Sequence, residues 1–264
     1  MKDLISKDLI KLHSLLNSDK EWSKRVKNLE SVRSVASKVK TGKESDFGYS
    51  NPKPIIFQDL DLGKRILPSI LDEKPDELIY DISVKLSITL RGGAKSLDIY
   101  DPLSALNISI VVGGEYLYKD EQNEVIQSWH LDKNTGNKDH KKSNFVHPEY
   151  HMHFGGDQMV SKNELHFGDL LLLESPRFAQ LPLDLPLAID FVIRNFYEKE
   201  KNQKLLKNKI YKDVLANSQR FFWRPYFLGV AQHWLEKKNN RWADIDNLNI
   251  DNALKSVKLN PHIC

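Results

Sequence analysis

The sequence predicts an α+β fold, in which a helical segment at each end of the chain flanks a central antiparallel β-meander of about five strands. Apolar residues recur at helical spacing near the N-terminus, alternate with polar residues in the middle third, and return to helical spacing from Pro182 onward. Spacings of 3.6 and 2 residues indicate helices and half-buried strands respectively. We therefore predict a helical N-terminal arm or hairpin over 1–42 and an α+β domain over 55–264, with its sheet over about 78–175 and its helices over about 182–257.

Two helices are predicted in the N-terminal segment, over residues 3–17 and 20–40. Their apolar stripes are Ile5, Leu9, Leu12 and Leu16 in the first helix, and Trp22, Val26, Leu29, Val32 and Val39 in the second. Ser18 or Asp19 can cap the second helix, because short polar side chains accept hydrogen bonds from the first free N–H groups. The segment from Thr41 to Pro54 is rich in Gly, Ser, Asn and Pro, which is typical of a linker.

The middle third of the chain reads as antiparallel strands. Apolar and polar residues alternate from Ile82 to Arg91, and Gly92 and Gly93 follow. Further strands are predicted over 107–118, 125–132, 147–154 and 165–175. A hairpin symmetric about the polar turn 119–124 would place His130 near Gly113.

Three helices are predicted in the C-terminal third. The first carries the apolar stripe Leu185, Ile189, Val192 and Phe196. The second is predicted near 204–218, and the third begins at Pro225, because proline is favoured in the first turn of a helix.

Composition indicates the class of protein. The apolar content of 40% is that of a globular chain, and the net charge of +3 is too small to argue for a nucleic-acid binder. The single cysteine, Cys264, allows no intramolecular disulfide or thiolate cage, in keeping with a reducing compartment. The first 20 residues lack the uninterrupted apolar core of a signal peptide, and no apolar stretch is long enough to cross a bilayer. We predict a cytoplasmic protein without membrane contact, and the frequent Lys, Asn and Ile residues suggest the AT-rich coding bias of a bacterial or phage source.

The most informative feature is a histidine cluster, since six of the nine histidines lie between positions 130 and 166. Side chains alternate faces along a strand, so His130 and Asp132 share one face, as do His151 and His153. Antiparallel pairing of these two strands would bring the four side chains together. Imidazole nitrogens and carboxylate oxygens suit Zn, Fe or Mn, so the four residues are predicted ligands of a divalent metal.

Five further residues are candidates around this site. His147 and His166 are candidate additional ligand-binding groups, and Arg177 can clamp a carboxylate or phosphate through its planar fork. Glu149 or Asp157 is a candidate general base. Neither a Walker loop nor a GxGxxG motif is present, so we predict no nucleotide cofactor.

Two other interpretations of the histidines stay open. Polar residues that alternate along an antiparallel strand normally mark its solvated face, which makes a structural or solvent-facing group an alternative. A metal-free site is the other, in which His130 or His151 acts as general base and Asp132 orients the ring.

Two segments are candidate partner-binding surfaces. Residues 221–227 are the densest aromatic segment. Core packing is the default explanation for it, but Trp223, Arg224 and Tyr226 are also residue types typical of interface anchors. Residues 198–212 carry six lysines, which can contact the phosphates of a nucleic acid or form the wet side of a helix.

The leading functional hypothesis is a cytoplasmic bacterial protein with a His/Asp divalent-metal site on its sheet, with metal-dependent hydrolysis as the reaction class to test first. The alternative is a non-catalytic interaction subunit of a multiprotein bacterial system, which binds a protein partner through its helical ends or aromatic segment. The sequence alone does not decide whether the protein is an enzyme.

Overall fold

The structure is a computed structural model that describes residues 2–41, 46–61, 79–93, 103–118, 121–133, 150–155 and 178–235. Over these ranges it has helices at both ends of the chain and an antiparallel sheet between them. The predicted α+β class is confirmed. Within the same ranges, no helix has both the length and the apolar composition needed to cross a membrane.

The N-terminal segment folds as α1 (Lys2–Ser18), α2 (Trp22–Arg25), β1 (Val26–Lys27) and α3 (Glu30–Thr41). The prediction of α1 is confirmed, whereas the single helix predicted over 20–40 is wrong. The chain leaves the helix at β1 to pair with a strand further on, and Asn28 then adopts a φ of 59°, a value that asparagine tolerates better than most residues. The predicted cap at Ser18 or Asp19 is wrong, because the N-cap residue of α2 is Glu21. The Asp19 carboxylate instead accepts hydrogen bonds from the backbone N–H groups of Glu21 and Trp22 in the turn before α2.

The sheet contains eight strands in the described part of the chain, rather than about five. Besides β1, they are β2 (Asp46–Ser50), β3 (Ile55–Phe57), β4 (Ile79–Gly93), β5 (Leu103–Tyr118), β6 (Glu121–Lys133), β7 (Tyr150–Phe154) and β8 (Phe178–Ala179). Their order is β1-β3-β4-β5-β6-β7-β8, with β2 also paired to β4, and every pairing is antiparallel. The strand predicted over 165–175 lies outside the described residues.

The segment predicted as a linker, Thr41 to Pro54, contains β2, so that prediction is wrong. Phe47 and Tyr49 are buried on the core side of β2. Asn51 then makes the hydrogen bonds that the sheet lacks between β2 and β3. Its side chain accepts from the N–H of Ile88 at 2.8 Å and donates to the carbonyls of Leu86 at 3.1 Å and Lys53 at 2.8 Å. The polar residues of this segment therefore belong to a connection that is hydrogen-bonded to the sheet between β2 and β3, and not to a flexible linker.

The C-terminal third folds as α4 (Leu185–Phe196), α5 (Gln203–Leu206) and α6 (Lys209–Leu235). Pro225 lies inside α6, so the prediction that a separate helix begins at Pro225 is wrong. Proline inside a helix costs about 3 kcal/mol. The buried side chains of Phe222 and Trp223, which precede it, hold this part of α6 against the core and offset that cost.

The helices and one face of the sheet share a single apolar core. From β4 and β5 it includes Val84, Leu86, Ile88, Leu90, Ile108 and Ile110, and from the helices Leu9, Leu12, Val35, Leu187, Val192 and Leu215. The residues that alternate with these along β4 and β5 project from the opposite face of the sheet. We call this opposite side the outer face. Whether the chain divides into an arm over 1–42 and a domain over 55–264 stays a prediction.

Candidate metal centre

The histidine cluster lies on the outer face, where β6 pairs with β7. In this antiparallel register His130 stands opposite His153, and Asp132 stands opposite His151. The four predicted metal ligands are therefore neighbours, because alternation places both members of each strand's pair on the same face.

Short polar contacts link the four side chains. The Asp132 carboxylate lies 3.1 Å from His130 Nε2 through Oδ2 and 2.9 Å from His151 Nε2 through Oδ1. The His153 ring lies 5.2 Å from the His130 ring and 6.0 Å from the His151 ring, measured between centroids. Asp132 is thus the centre of the cluster, with a histidine at each carboxylate oxygen.

Three of these residues can hold a metal ion. His130, Asp132 and His153 each offer one ligand atom, and these atoms lie within 4.8 Å of one another. Ligand atoms on a tetrahedral zinc ion lie about 3.4 Å apart, given bonds of about 2.1 Å. The 3.1 Å between His130 and Asp132 is already close to this spacing, so a small movement of His153 would complete the set.

The electrostatics of the site favour an ionised aspartate. Burial by itself would raise the pKa of Asp132. The hydrogen bond from His130 and the nearby His151, His130 and His153 outweigh this effect and lower its pKa below the usual value. Asp132 is therefore a carboxylate at neutral pH, which is the form that binds metals.

Exposure differs across the cluster. The side chain of His151 is 5% exposed, whereas those of His130 and Asp132 are 25% and 28% exposed. The cluster is thus buried at His151, which pairs with β8, and more exposed at His130 and Asp132, which pair with β5.

Asn107 on β5 is a neighbour of the cluster that sequence reasoning missed. It stands opposite Asp132 across the β5–β6 pair, and its Nδ2 lies 3.2 Å from His130 Nε2. A single imidazole nitrogen cannot accept from Asn107 while it donates to Asp132, so the protonation of His130 selects one of the two partners. No local pattern marks Asn107, because only the register of β5 brings it to the site.

The predicted position of His130 near Gly113 is wrong. The register pairs His130 with Ser109 and places Ile126 opposite Gly113. The physical reason is that β5 and β6 stay paired up to Tyr118 and Glu121, so residues predicted as a polar turn belong to the strands. Because this connection is shorter than predicted, each residue of β6 pairs with a β5 residue four positions before the predicted one.

The other predicted site residues lie outside the described part of the chain. These are the candidate bases Glu149 and Asp157 and the candidate ligand-binding residues His147, His166 and Arg177. Their roles stay predictions.

The predicted partner-binding segment is packed to different degrees along α6. Trp223 is buried, and its indole N–H donates to the carbonyl of Pro182 at 2.7 Å. Arg224 and Tyr226 are half-buried, and the Tyr226 ring meets that of Tyr150 edge to face at 5.7 Å. Phe227 is 43% exposed. Binding of a partner through this segment stays a prediction.

The lysines predicted to contact nucleic acid have acidic neighbours within the chain. Lys201 pairs with Asp61, and Lys204 pairs with Asp19, each at 3.1 Å. A nucleic-acid partner also stays a prediction.

Comparison of the chain with protein-family models, with curated proteins and with solved structures found no match. The geometry of the outer face is therefore the observation that supports a function for this chain.

Proposed function

We propose that this protein is a divalent-metal-dependent hydrolase whose ion is held by His130, Asp132 and His153. The observation that supports this proposal is the convergence of one ligand atom from each residue to within 4.8 Å, on two paired strands. Strands held in a sheet restrict the motion of their side chains more than loops do, which favours a defined coordination geometry.

The ligand set suits a catalytic rather than a purely structural ion. Structural zinc sites are commonly closed by four protein ligands, whereas catalytic sites use three and keep one position open. Two imidazoles and one carboxylate match the second pattern, and they also occur in non-haem iron enzymes. A bound ion would act as a Lewis acid and lower the pKa of a water molecule at its open position.

With Asp132 as its single charged ligand, a bound divalent ion would keep a net positive charge. One carboxylate and two neutral imidazoles offset only half of the charge of a divalent ion. Such a site attracts an electron-rich substrate oxygen and stabilises negative charge that develops on it during hydrolysis.

His151 is a positioning residue in this proposal rather than a ligand. Its Nε2 donates to Asp132 Oδ1 at 2.9 Å, and its burial restricts movement of the ring. This hydrogen bond leaves Oδ2 directed toward His130 and fixes how the carboxylate is presented to an ion. Partners of this kind orient metal ligands, and their loss typically reduces affinity or activity by about 10- to 100-fold.

The deciding experiment measures the metal content of untagged protein by mass spectrometry, after incubation with Zn²⁺, Mn²⁺ or Fe²⁺. Asp132→Asn removes the central carboxylate charge, and Asp213→Asn is the matched control, since Asp213 lies on α6 and pairs with Lys209. We expect near-stoichiometric metal in the wild type and in Asp213→Asn, and its loss from a folded Asp132→Asn. His151→Gln should retain metal with weaker affinity.

Hydrolysis of p-nitrophenyl phosphate and p-nitrophenyl acetate by the metal-loaded protein then tests the reaction class. Equal metal content in the wild type and in Asp132→Asn would contradict the proposed centre. Absence of metal from the folded wild type would favour the non-catalytic interaction subunit instead.

A further inference from the structure

The more exposed side of the metal centre continues into a band of small polar side chains. On the outer face, Asp132 is followed across the sheet by Asn107 on β5 and Thr89 on β4. His130 is followed in the same way by Ser109 and Ser87. We call Ser87, Thr89, Asn107 and Ser109 the polar shelf.

Side-chain contacts confirm that these rows share one face. Asn107 reaches His130 at 3.2 Å, and the hydroxyl of Thr89 donates to that of Ser50 on β2 at 3.3 Å. Asn107 and Thr89 are exposed, whereas Ser87 and Ser109 are half-buried. The polar shelf is therefore accessible, and it lies on the side where the metal centre is more exposed.

The polar shelf has the dimensions of a small molecule. Neighbouring strands lie about 4.8 Å apart, so β4 is about 10 Å from β6, and residues two apart on one strand are separated by about 7 Å. Each of its four side chains offers a hydroxyl or an amide that can donate and accept hydrogen bonds.

Over positions 83–91 of β4 and 105–113 of β5, the outer face carries positive charge and no aromatic ring, and Glu115 lies further along the same face of β5. At the outer-face positions 83–91 of β4 and 105–113 of β5, the charged residues are Lys85 and Arg91, both exposed. Each lies two residues beyond the polar shelf, at opposite ends of it. Proteins that bind single-stranded nucleic acid stack bases on aromatic side chains, and these positions offer none.

We propose that the polar shelf binds a small hydrophilic phosphate ester, with its phosphoryl group at the metal centre and its hydroxyl groups over Ser87, Thr89, Asn107 and Ser109. This inference rests on the proposed metal site. Lys85 and Arg91, both on β4, attract the dianion from the far edge of the polar shelf. In hydrolysis the oxygen of water bonds to phosphorus and the ester P–O bond breaks. One proton of the water passes to the leaving alkoxide oxygen, and the other stays on the phosphate product.

The test uses the full chain loaded with Zn²⁺ or Mn²⁺, and calorimetry with glycerol 2-phosphate, inorganic phosphate and glycerol as probes. Lys85→Gln/Arg91→Gln removes the two charges, and Thr89→Val/Ser109→Ala removes two hydroxyls from the polar shelf. Lys7→Gln/Lys24→Gln is the control, since both lysines are exposed on the helical side of the protein.

We expect glycerol 2-phosphate to bind the metal-loaded protein, and glycerol not to bind. Two positive charges, each about 12 Å from a phosphate dianion in water, correspond to a loss of about tenfold in affinity for the charge variant at low ionic strength. The control variant should bind as the wild type does. The hydroxyl variant should bind inorganic phosphate normally but glycerol 2-phosphate more weakly, because only the ester reaches the polar shelf.

The outcomes separate this inference from the proposed function. Failure of the wild type to bind metal would overturn both. Metal binding with equal affinity for glycerol 2-phosphate in the wild type and in both shelf variants would overturn the polar shelf alone.

Discussion

Replacing Asp184 by asparagine should change how the stability of the protein depends on pH. Asp184 is 2% exposed and precedes α4, where it accepts hydrogen bonds from the N–H of Leu187 at 3.1 Å and the hydroxyl of Ser218 at 2.8 Å. Burial and, to a smaller extent, the charge of Asp8 raise its pKa, while hydrogen bonds to the carboxylate lower it, and the net change is from 3.8 to about 7.

The sign of the effect follows from proton binding. Between about pH 4 and pH 7 the folded protein keeps the proton on Asp184, while the unfolded chain has lost it. Unfolding then releases a proton, so the stabilising contribution is complete below about pH 4 and is lost as the pH rises through 7. A pKa change from 3.8 to about 7 corresponds to about 4 kcal/mol over the whole range, of which about 3 kcal/mol falls between pH 5 and pH 8.

Urea denaturation at pH 5 and pH 8 measures this difference. Asp184→Asn resembles the protonated carboxyl at both pH values, so its free energy of unfolding should fall by about 3 kcal/mol less than that of the wild type. Asp213→Asn, an exposed control on α6, should follow the wild type. Parallel pH dependence of the wild type and Asp184→Asn would refute the reasoning, because it would mean that the buried carboxyl is already ionised at pH 5.

Two further predictions concern the sheet. Asn51→Leu removes the hydrogen bonds to Ile88, Leu86 and Lys53 at the β2–β3 crossing. Because buried backbone groups lose their partners, the free energy of unfolding measured in urea should fall by about 2–4 kcal/mol. An unchanged value would show that water replaces the side chain. Gly155→Ala should lower the free energy of unfolding, measured by thermal denaturation, by about 1–2 kcal/mol. Gly155 has a φ of 97° and an added methyl group meets nothing within 4 Å, so backbone strain is the only penalty. A stabilised Gly155→Ala would contradict that φ.

Elements with a strong local period could be predicted from the sequence, and elements defined by a distant partner could not. Strand β4 alternates over many residues, and α1 repeats its apolar positions over about three turns. In contrast, β1 has two residues and exists because Val26 and Lys27 pair with β3. Strand β2 has only Phe47 and Tyr49 on its core side, within a segment whose composition is that of a loop.

The same distinction applies to the residues of the candidate site. The pairs His130/Asp132 and His151/His153 could be predicted, because alternation within one strand decides which residues share a face. Asn107 and the rest of the polar shelf could not, because their places depend on a register that differs by four residues from the one inferred from the turn. Hydrophobic alternation determines the face of a strand but not its position along the partner.

One alternating pattern thus builds both the core and the outer face of this protein. Ile88 and Ile108 pair on the core side, while Thr89 and Asn107 pair on the outer side one residue later. A slip of β5 by a single residue would bury Asn107 and expose Ile108, so the free energy of apolar burial also holds the polar shelf in register with the metal centre. The fully buried core residues of β4 and β5 therefore fix the geometry of the candidate site without touching it, and the helices need to cover only the other face.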